Sequence, residues 1–218
     1  MKVLFVIAHP DDEAYGPYGT ILRTVEEGHD VSVYCLCNGR RPGSEDVSES
    51  RTTAFIRNCE QAGVKWKMWN SDDLSLDPKE TAFAVSKLIS DLKPNIVYTH
   101  NISDVNRDHR ALGEAAIIAC RPTPDSPVNA LLFFEVPSST EWAFGQLQPA
   151  FIPNHYVELS EDQARQKFIA LEQYSTETRP HPDARSIDSA INLAKYRGQQ
   201  VGYHYAEAFQ LVFSRDRK

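Results

Sequence analysis

The 218-residue chain reads as an α/β protein built on a Rossmann-like, doubly wound and mainly parallel sheet with helices on both faces. Three observations predict this. The run Val3-Leu4-Phe5-Val6-Ile7 is apolar at every position, the mark of a strand covered on both faces. Short β-rich runs then alternate with helical stretches, the rhythm of repeated βαβ units. Polar, charge-bearing loops follow the first of these runs and the one ending at His100, and open parallel sheets bind ligands at the carboxyl ends of their strands.

In order, strands are expected over Val3 to Ala8, Asp30 to Cys37, Lys65 to Trp69, Asn95 to His100 and Ala130 to Val136. Helices are expected near Tyr15 to Glu27, Ser48 to Ala62, Pro78 to Leu92 and Ala111 to Cys120. The Cys37-Asn38-Gly39 turn and the polar loop to Val47 are placed to wall a pocket, and Pro122, Pro124 and Pro127 make a loop or flap. Beyond Pro149 the pattern changes to a strand-like Tyr156 to Leu159, then helices near Glu161 to Tyr174 and Ala184 to Arg197. One domain is expected over residues 1–218, with a core (1–149) and a C-terminal α/β cap (150–218) that supplies the specificity wall. No Gly-x-Gly-x-x-Gly follows the first strand, so a redox role lacks its main support.

The chemistry gathers in Ala8-His9-Pro10-Asp11-Asp12-Glu13, an imidazole and three carboxylates at a strand end. Acidic residues in a first helical turn serve as dipole partners and caps, but a cap does not account for His9 before the pair. A catalytic zinc takes imidazole nitrogen and carboxylate oxygen from three protein ligands and leaves one position for water. His9 and Asp12 supply two. The third is expected from another strand end, and Asp108-His109, at the helix start after Asn95 to His100, offers His109.

With these motifs the chain resembles the LmbE-like (PIG-L) superfamily of zinc-dependent N-acetylglucosaminyl deacetylases, marked by an Ala-His-Pro-Asp-Asp-Glu loop and a later Asp-His pair. The resemblance extends through Arg51 and Ala62-Gly63-Val64 to Tyr174-Ser175-Thr176-Glu177, Pro180-His181-Pro182, Arg185-Ser186, Arg197-Gly198 and Tyr205-Ala206-Glu207-Ala208-Phe209. It implies His9, Asp12 and His109 as metal ligands, Asp11 as general base, and Zn2+ as cofactor, with another divalent transition metal as an alternative occupant. Two departures stand out. Ala54 replaces a Glu often found after the helix Arg, and Asn106-Arg107 replaces a His-Pro whose His helps stabilise the oxyanion. That helper is then sought in His181 or His100, and Asn106 is kept as a substrate contact.

An unactivated acetamide needs both a nucleophile and stabilisation of a developing oxyanion, which zinc supplies as Lewis acid and by lowering the pKa of bound water towards about 7. Asp11 would take the water's proton and return it to the leaving amine. Asp108 orients a ligand or tunes the base, or serves as a helix cap. Arg51 binds a substrate phosphate or hydroxyl, as the resemblance implies, or pairs with Glu49 or Asp46 on a helix face. Arg185 with Ser186 offers an anion site at a helix start, or serves that helix start with no ligand at all. Glu177 and Glu207 read equally well as structural partners, and His100, His155 and His204 as scaffold or pocket rim. Trp142, Phe144, Tyr174, Tyr203 and Tyr205 are available to stack on a sugar, although such aromatics are more often core.

Composition limits the partners. A hydrophobic content of 41% supports a sizeable core, and a net charge of -7 argues against a nucleic-acid partner, which demands basic surface. No run reaches the roughly 20 apolar residues of a membrane helix, and Met1-Lys2 leads directly into a strand, so no membrane insertion and a cytoplasmic location are expected. Cys35, Cys37, Cys59 and Cys120 have the spacing of neither a zinc ribbon nor a redox pair and read as buried thiols. The expected partner is a small amino-sugar substrate, with homo-oligomerisation left open. The leading function is hydrolysis of its acetamide; a related amidase and a binding module without turnover are the alternatives.

Overall fold

Strand β1 (Lys2–Ile7) lies in the middle of the sheet and feeds two cores. Val3, Phe5 and Ile7 join a cluster holding Tyr18, Phe55 and Phe209, whereas Leu4, Val6 and Ala8 join one holding Leu88, Leu112 and Phe133. Both faces need apolar partners, and this is why the run shows no polar alternation. The computed structural model describes residues 1–41, 43, 46–144 and 150–216.

The further elements are α1 (Asp12–Tyr15), α2 (Tyr18–Glu26), β2 (Asp30–Cys37), α3 (Ser48–Ala62), β3 (Lys65–Ser71), α4 (Pro78–Leu92), β4 (Ile96–His100), α5 (Arg107–Ala119), β5 (Ala130–Phe134), β6 (His155–Leu159), α6 (Glu161–Glu172), α7 (Ile187–Gln199) and β7 (Tyr205–Ser214). The strand order is β3-β2-β1-β4-β5-β7-β6. Strands β1 to β5 pair in parallel, and β7 runs antiparallel to both β5 and β6. From β1 the chain winds outward to β2 and β3, then returns to β4 on the other side. The crevice beyond the carboxyl ends of β1 and β4 is therefore the topological switch point, where such sheets bind ligands.

Local chemistry sets the boundaries. Gly63, with φ 69, closes α3 in the left-handed conformation glycine adopts freely. Asp77 caps α4 by accepting from Lys79 and Glu80, and Ser160 with Gln163 forms a capping box on α6. The single helix expected over Tyr15 to Glu27 is two, because Pro17 cannot continue the first and no room exists for a side chain at Gly16, where a Cβ would lie 2.7 Å from Phe134.

The C-terminal segment is continuous with the sheet. Its strands lengthen the sheet, and α6, the turn after it and α7 send Ala170, Leu171, Tyr174 and Ala190 into the core beneath β1. The four cysteines are buried and free. No helix among the described residues is long and apolar enough to cross a membrane.

Candidate active site

The loop from β1 into α1 is buried throughout. Asp12 N–H donates to the His9 carbonyl at 3.2 Å, and His9 N–H donates to Asp12 Oδ2 at 2.7 Å, which draws that carboxylate back over the turn. Asp11 is forced to φ 126, a conformation a non-glycine residue keeps only where its surroundings over-determine it. Its N–H donates to Glu13 Oε2 at 3.2 Å, and its carbonyl accepts from Ala14 and Tyr15 at 3.0 Å. Glu13 is the brace: Tyr174 Oη donates to it at 2.5 Å and Asn58 at 3.1 Å. Burial pushes Glu13 up to about 7 against the pull of those hydrogen bonds.

Three electron-pair donors converge beside this turn. His9 Nδ1 lies 3.2 Å from His109 Nε2 and 3.3 Å from Asp12 Oδ2, and His109 Nε2 lies 3.3 Å from Asp12 Oδ1. Each imidazole turns its other nitrogen to a carboxylate, His9 Nε2 to Asp108 at 2.9 Å and His109 Nδ1 to Asp104 at 3.1 Å. A neutral imidazole that donates outward to its carboxylate turns a lone pair inward towards Asp12, the arrangement that a cation completes. Burial opposes charge on His109, yet Asp12 and Asp104 hold it up at about 9; burial likewise opposes charge on His9, which Asp108 and Asp12 carry upward. Burial raises Asp12, but His109 and His100 draw it well below the usual carboxylate range. The residues present fit a divalent metal ion.

Asp11 is not part of that set. Its Oδ2 accepts from Arg185 Nη2 at 2.5 Å, and Arg51 Nη2 approaches Oδ1 at 3.5 Å. Burial raises the Asp11 carboxyl, and the two guanidinium groups oppose the rise. It borders a cavity of about 130 Å³ together with His9, Asp12, Asn106, His109 and Arg185.

The structure thus brings together His9, Asp11, Asp12, Asn106, Arg185 and His109, and puts Asp108 directly behind His9. Asp108 also accepts from Leu74 and Leu76 N–H, at 2.5 and 3.1 Å, so it holds His9 and a loop rather than reaching the cavity. Arg51 also lines this cavity, held there by protein partners. At 1% exposure it donates to the carbonyls of Pro10 and Gly39 and to Asp73, and it pairs with Glu177 at 3.6 Å, so its fork is committed to protein. Arg185 grips Asp11 and lies over the Tyr15 ring at 4.3 Å, directly ahead of Ser186, the N-cap of α7. His181 is exposed and lies outside the cavity lining.

His100 is scaffold: its Nε2 accepts from Ala8 N–H at 3.0 Å, its ring stacks on His109 at 3.8 Å, and burial and the neighbouring His109 lower it to about 4. Among the proposed sugar platforms Tyr174 is buried against Glu13. Asp104 was not singled out from the sequence. It accepts from Ser139 and, at 2.8 Å, from Thr140. The available signal was an aspartate in the same loop as His109, just ahead of it.

The model of the PIG-L family, described as GlcNAc-PI de-N-acetylase, matches residues 4–120, more than half of the chain, and the chain belongs to this family. A probable N-acetyl-alpha-D-glucosaminyl L-malate deacetylase 2 of Bacillus cereus is 30% identical over 142 residues, 58% of this chain and 64% of that one, so the chain spans under two thirds of that relative. An uncharacterized deacetylase of Escherichia coli, YaiS, is 25% identical over 80% of this chain and 90% of its own. Two solved structures share the fold. The N,N'-diacetylchitobiose deacetylase of Pyrococcus horikoshii superposes with a TM-score of 0.77 at 20% identity, covering 97% of this chain and 83% of that one. The 4-carboxy-2-hydroxymuconate hydratase GalB of Pseudomonas putida does so with 0.76 at 22% identity, covering 100% and 99%.

Proposed function

We propose, starting from that membership, that the chain is a metal-dependent N-deacetylase that hydrolyses the acetamide of an N-acetylated, glucosamine-type sugar or its conjugate. The supporting observation is the side-by-side placement of two unlike carboxylates: Asp12 turned towards two imidazole nitrogens, and Asp11 turned away from them and open to the same cavity. The fold alone would not carry this, since the GalB structure, named a hydratase, shares it.

His9, Asp12 and His109 would hold the ion, with zinc as the preferred occupant on donor type. When bound, such an ion acts as a Lewis acid and lowers the pKa of water towards about 7. The protein's own groups do the rest. Asp11, raised by burial, takes a proton from the attacking water; oxygen bonds to the acetyl carbon, the C–N bond breaks, and the same proton passes to the departing nitrogen, giving acetate and free amine. Arg51 and Arg185 position Asp11. Asn106 accepts from Asp108 N–H through Oδ1, so its amide nitrogen remains as a donor at the cavity wall for the developing oxyanion. The substrate enters as a small molecule. The Bacillus relatives suggest a glucosaminyl conjugate bearing an acid, and Arg41 and Arg185 at the cavity suit such a group.

The test is acetate release from N-acetylhexosamines and their malate, nucleotide and lipid conjugates, comparing zinc-loaded wild type with Asp11→Asn. Release by wild type alone is expected. No release from any substrate, with one equivalent of zinc bound, would reject the deacetylase and favour a hydratase or binding role.

A further inference from the structure

A second donor set shares only His9 with the first. The sulfur of Cys37, a carboxylate oxygen of Asp73 and the His9 imidazole lie within 4.8 Å of one another, and all three residues are buried. Cys37 ends β2, beside the switch point, and Asp73 lies just beyond β3. Asp73 is the telling member. Its Oδ2 receives Arg51 at 2.6 Å and faces Arg41 at 3.6 Å, but its Oδ1 is buried with no hydrogen-bond partner. A buried carboxylate oxygen left unpartnered calls for a ligand. Cys37 Sγ is hydrogen-bonded with the His9 imidazole and lies 3.9 Å from Asp108 Oδ2, the same oxygen that faces His9 Nε2 at 2.9 Å.

Sulfur, imidazole nitrogen and carboxylate oxygens together form a set for a borderline-soft cation rather than for magnesium or calcium. Zinc bonds of about 2.0 to 2.3 Å place neighbouring ligands roughly 3.3 to 3.8 Å apart, so the set closes by about 1.5 Å at most. We propose that Cys37, Asp73 and the Nε2 edge of His9, with Asp108 alongside, form a second site for a thiophilic divalent cation, Zn2+ or Cd2+, joined through His9 to the His9–Asp12–His109 centre, whose cavity Asp73 also lines, and filled after it.

Binding balances simply: the Cys37 thiol and His9 Nε2 each give up a proton, so each ion bound releases two. The ion takes the place of the His9–Asp108 hydrogen bond, which removes the support behind a ligand of the first centre. Excess metal therefore inhibits, a consequence that rests on the deacetylase reading, whereas the binding itself does not.

Cobalt titration of the metal-stripped chain tests this by absorption. Wild type should take up two equivalents, the second bringing a near-ultraviolet thiolate-to-cobalt band. Cys37→Ser, checked for fold by circular dichroism, should bind one equivalent without that band, and His109→Ala should keep the band while losing the first centre. Saturation at one equivalent with no thiolate band would overturn the site. So would a band that survives in Cys37→Ser, which would belong to another cysteine, or one lost in His109→Ala. A normal second-equivalent band in a chain that releases no acetate would leave the site standing and reject only the deacetylase.

Discussion

Two buried charge clusters flank α1, and they are satisfied in opposite ways. Behind it, Lys167 at 4% exposure pairs with Glu207 at 2.7 Å and donates to the carbonyls of Tyr15 and Gly16, which the break at Pro17 leaves without helical partners. Glu207 in turn accepts from Gly19 and Thr20 N–H at 2.9 and 2.8 Å. That cluster is saturated by backbone. In front of α1, the Asp11 carboxylate meets only side chains, Arg51 and Arg185, and borders the cavity. The difference separates a charge that holds the chain together from one that is held ready, and substitutions should divide along the same line.

The largest effect is expected at Asp11. Asp11→Asn keeps the size of the side chain and removes the proton acceptor, so kcat should fall about 10³-fold, within the range for general-base loss, with metal content and melting temperature near wild type. A loss confined to KM would move Asp11 from proton transfer to binding. Lys167→Met should do the reverse. Leaving Glu207 buried without its partner costs about 3 kcal/mol of stability, measured by urea unfolding, while the folded fraction keeps its kcat. Full stability with a fall in kcat would dissolve the contrast between the clusters.

Glu13 belongs to the front cluster yet behaves as structure, and pH exposes this. Its carboxyl is raised by burial from 4.5 to about 7, so between those values the folded chain binds the proton that the unfolded chain has lost. Stability from this group is therefore full below about pH 4.5 and falls as pH rises towards 7, by about 3 kcal/mol at about 1.36 kcal/mol per pH unit. Glu13→Gln should flatten that part of the stability-versus-pH curve. An unchanged slope would assign the titration elsewhere. Smaller again is Asp104→Asn, which leaves His109 in place but weakens the group that orients it: metal affinity should drop about 10- to 100-fold by chelator competition. An unaltered affinity would make Asp104 a brace for the Ser139-Thr140 turn alone.

The sequence displays what is local. An unbroken apolar β1, the acidic loop after it and Asp108-His109 after β4 each announce themselves within a few residues, and the switch point follows once β1 and β4 are neighbours. What it hides are partnerships made across the fold. Arg51 looks like a helix-face arginine beside Glu49, and only the folded chain brings Asp73, Glu177 and Asp11 around it. Strand β7 is masked by small residues and by Glu207, whose burial makes sense only with Lys167 present. Asp104 is one polar loop residue among several until Ser139, Thr140 and His109 meet it.

The smallest effect should come from His181, which the family pattern draws towards the chemistry and the structure keeps outside. It is exposed between Pro180 and Pro182 and borders no part of the cavity, while the adjacent Arg185 reaches inward to Asp11. If Asn106 supplies the donor for the oxyanion, His181→Ala should change kcat/KM by less than about twofold, roughly 0.4 kcal/mol in the transition state. Arg185→Ala should be the more harmful of the two, because it releases the Asp11 carboxylate. A hundredfold loss in His181→Ala with metal retained would show that the segment carrying it closes over bound substrate. The oxyanion would then belong to His181, and Asn106 would revert to a helix cap for α5.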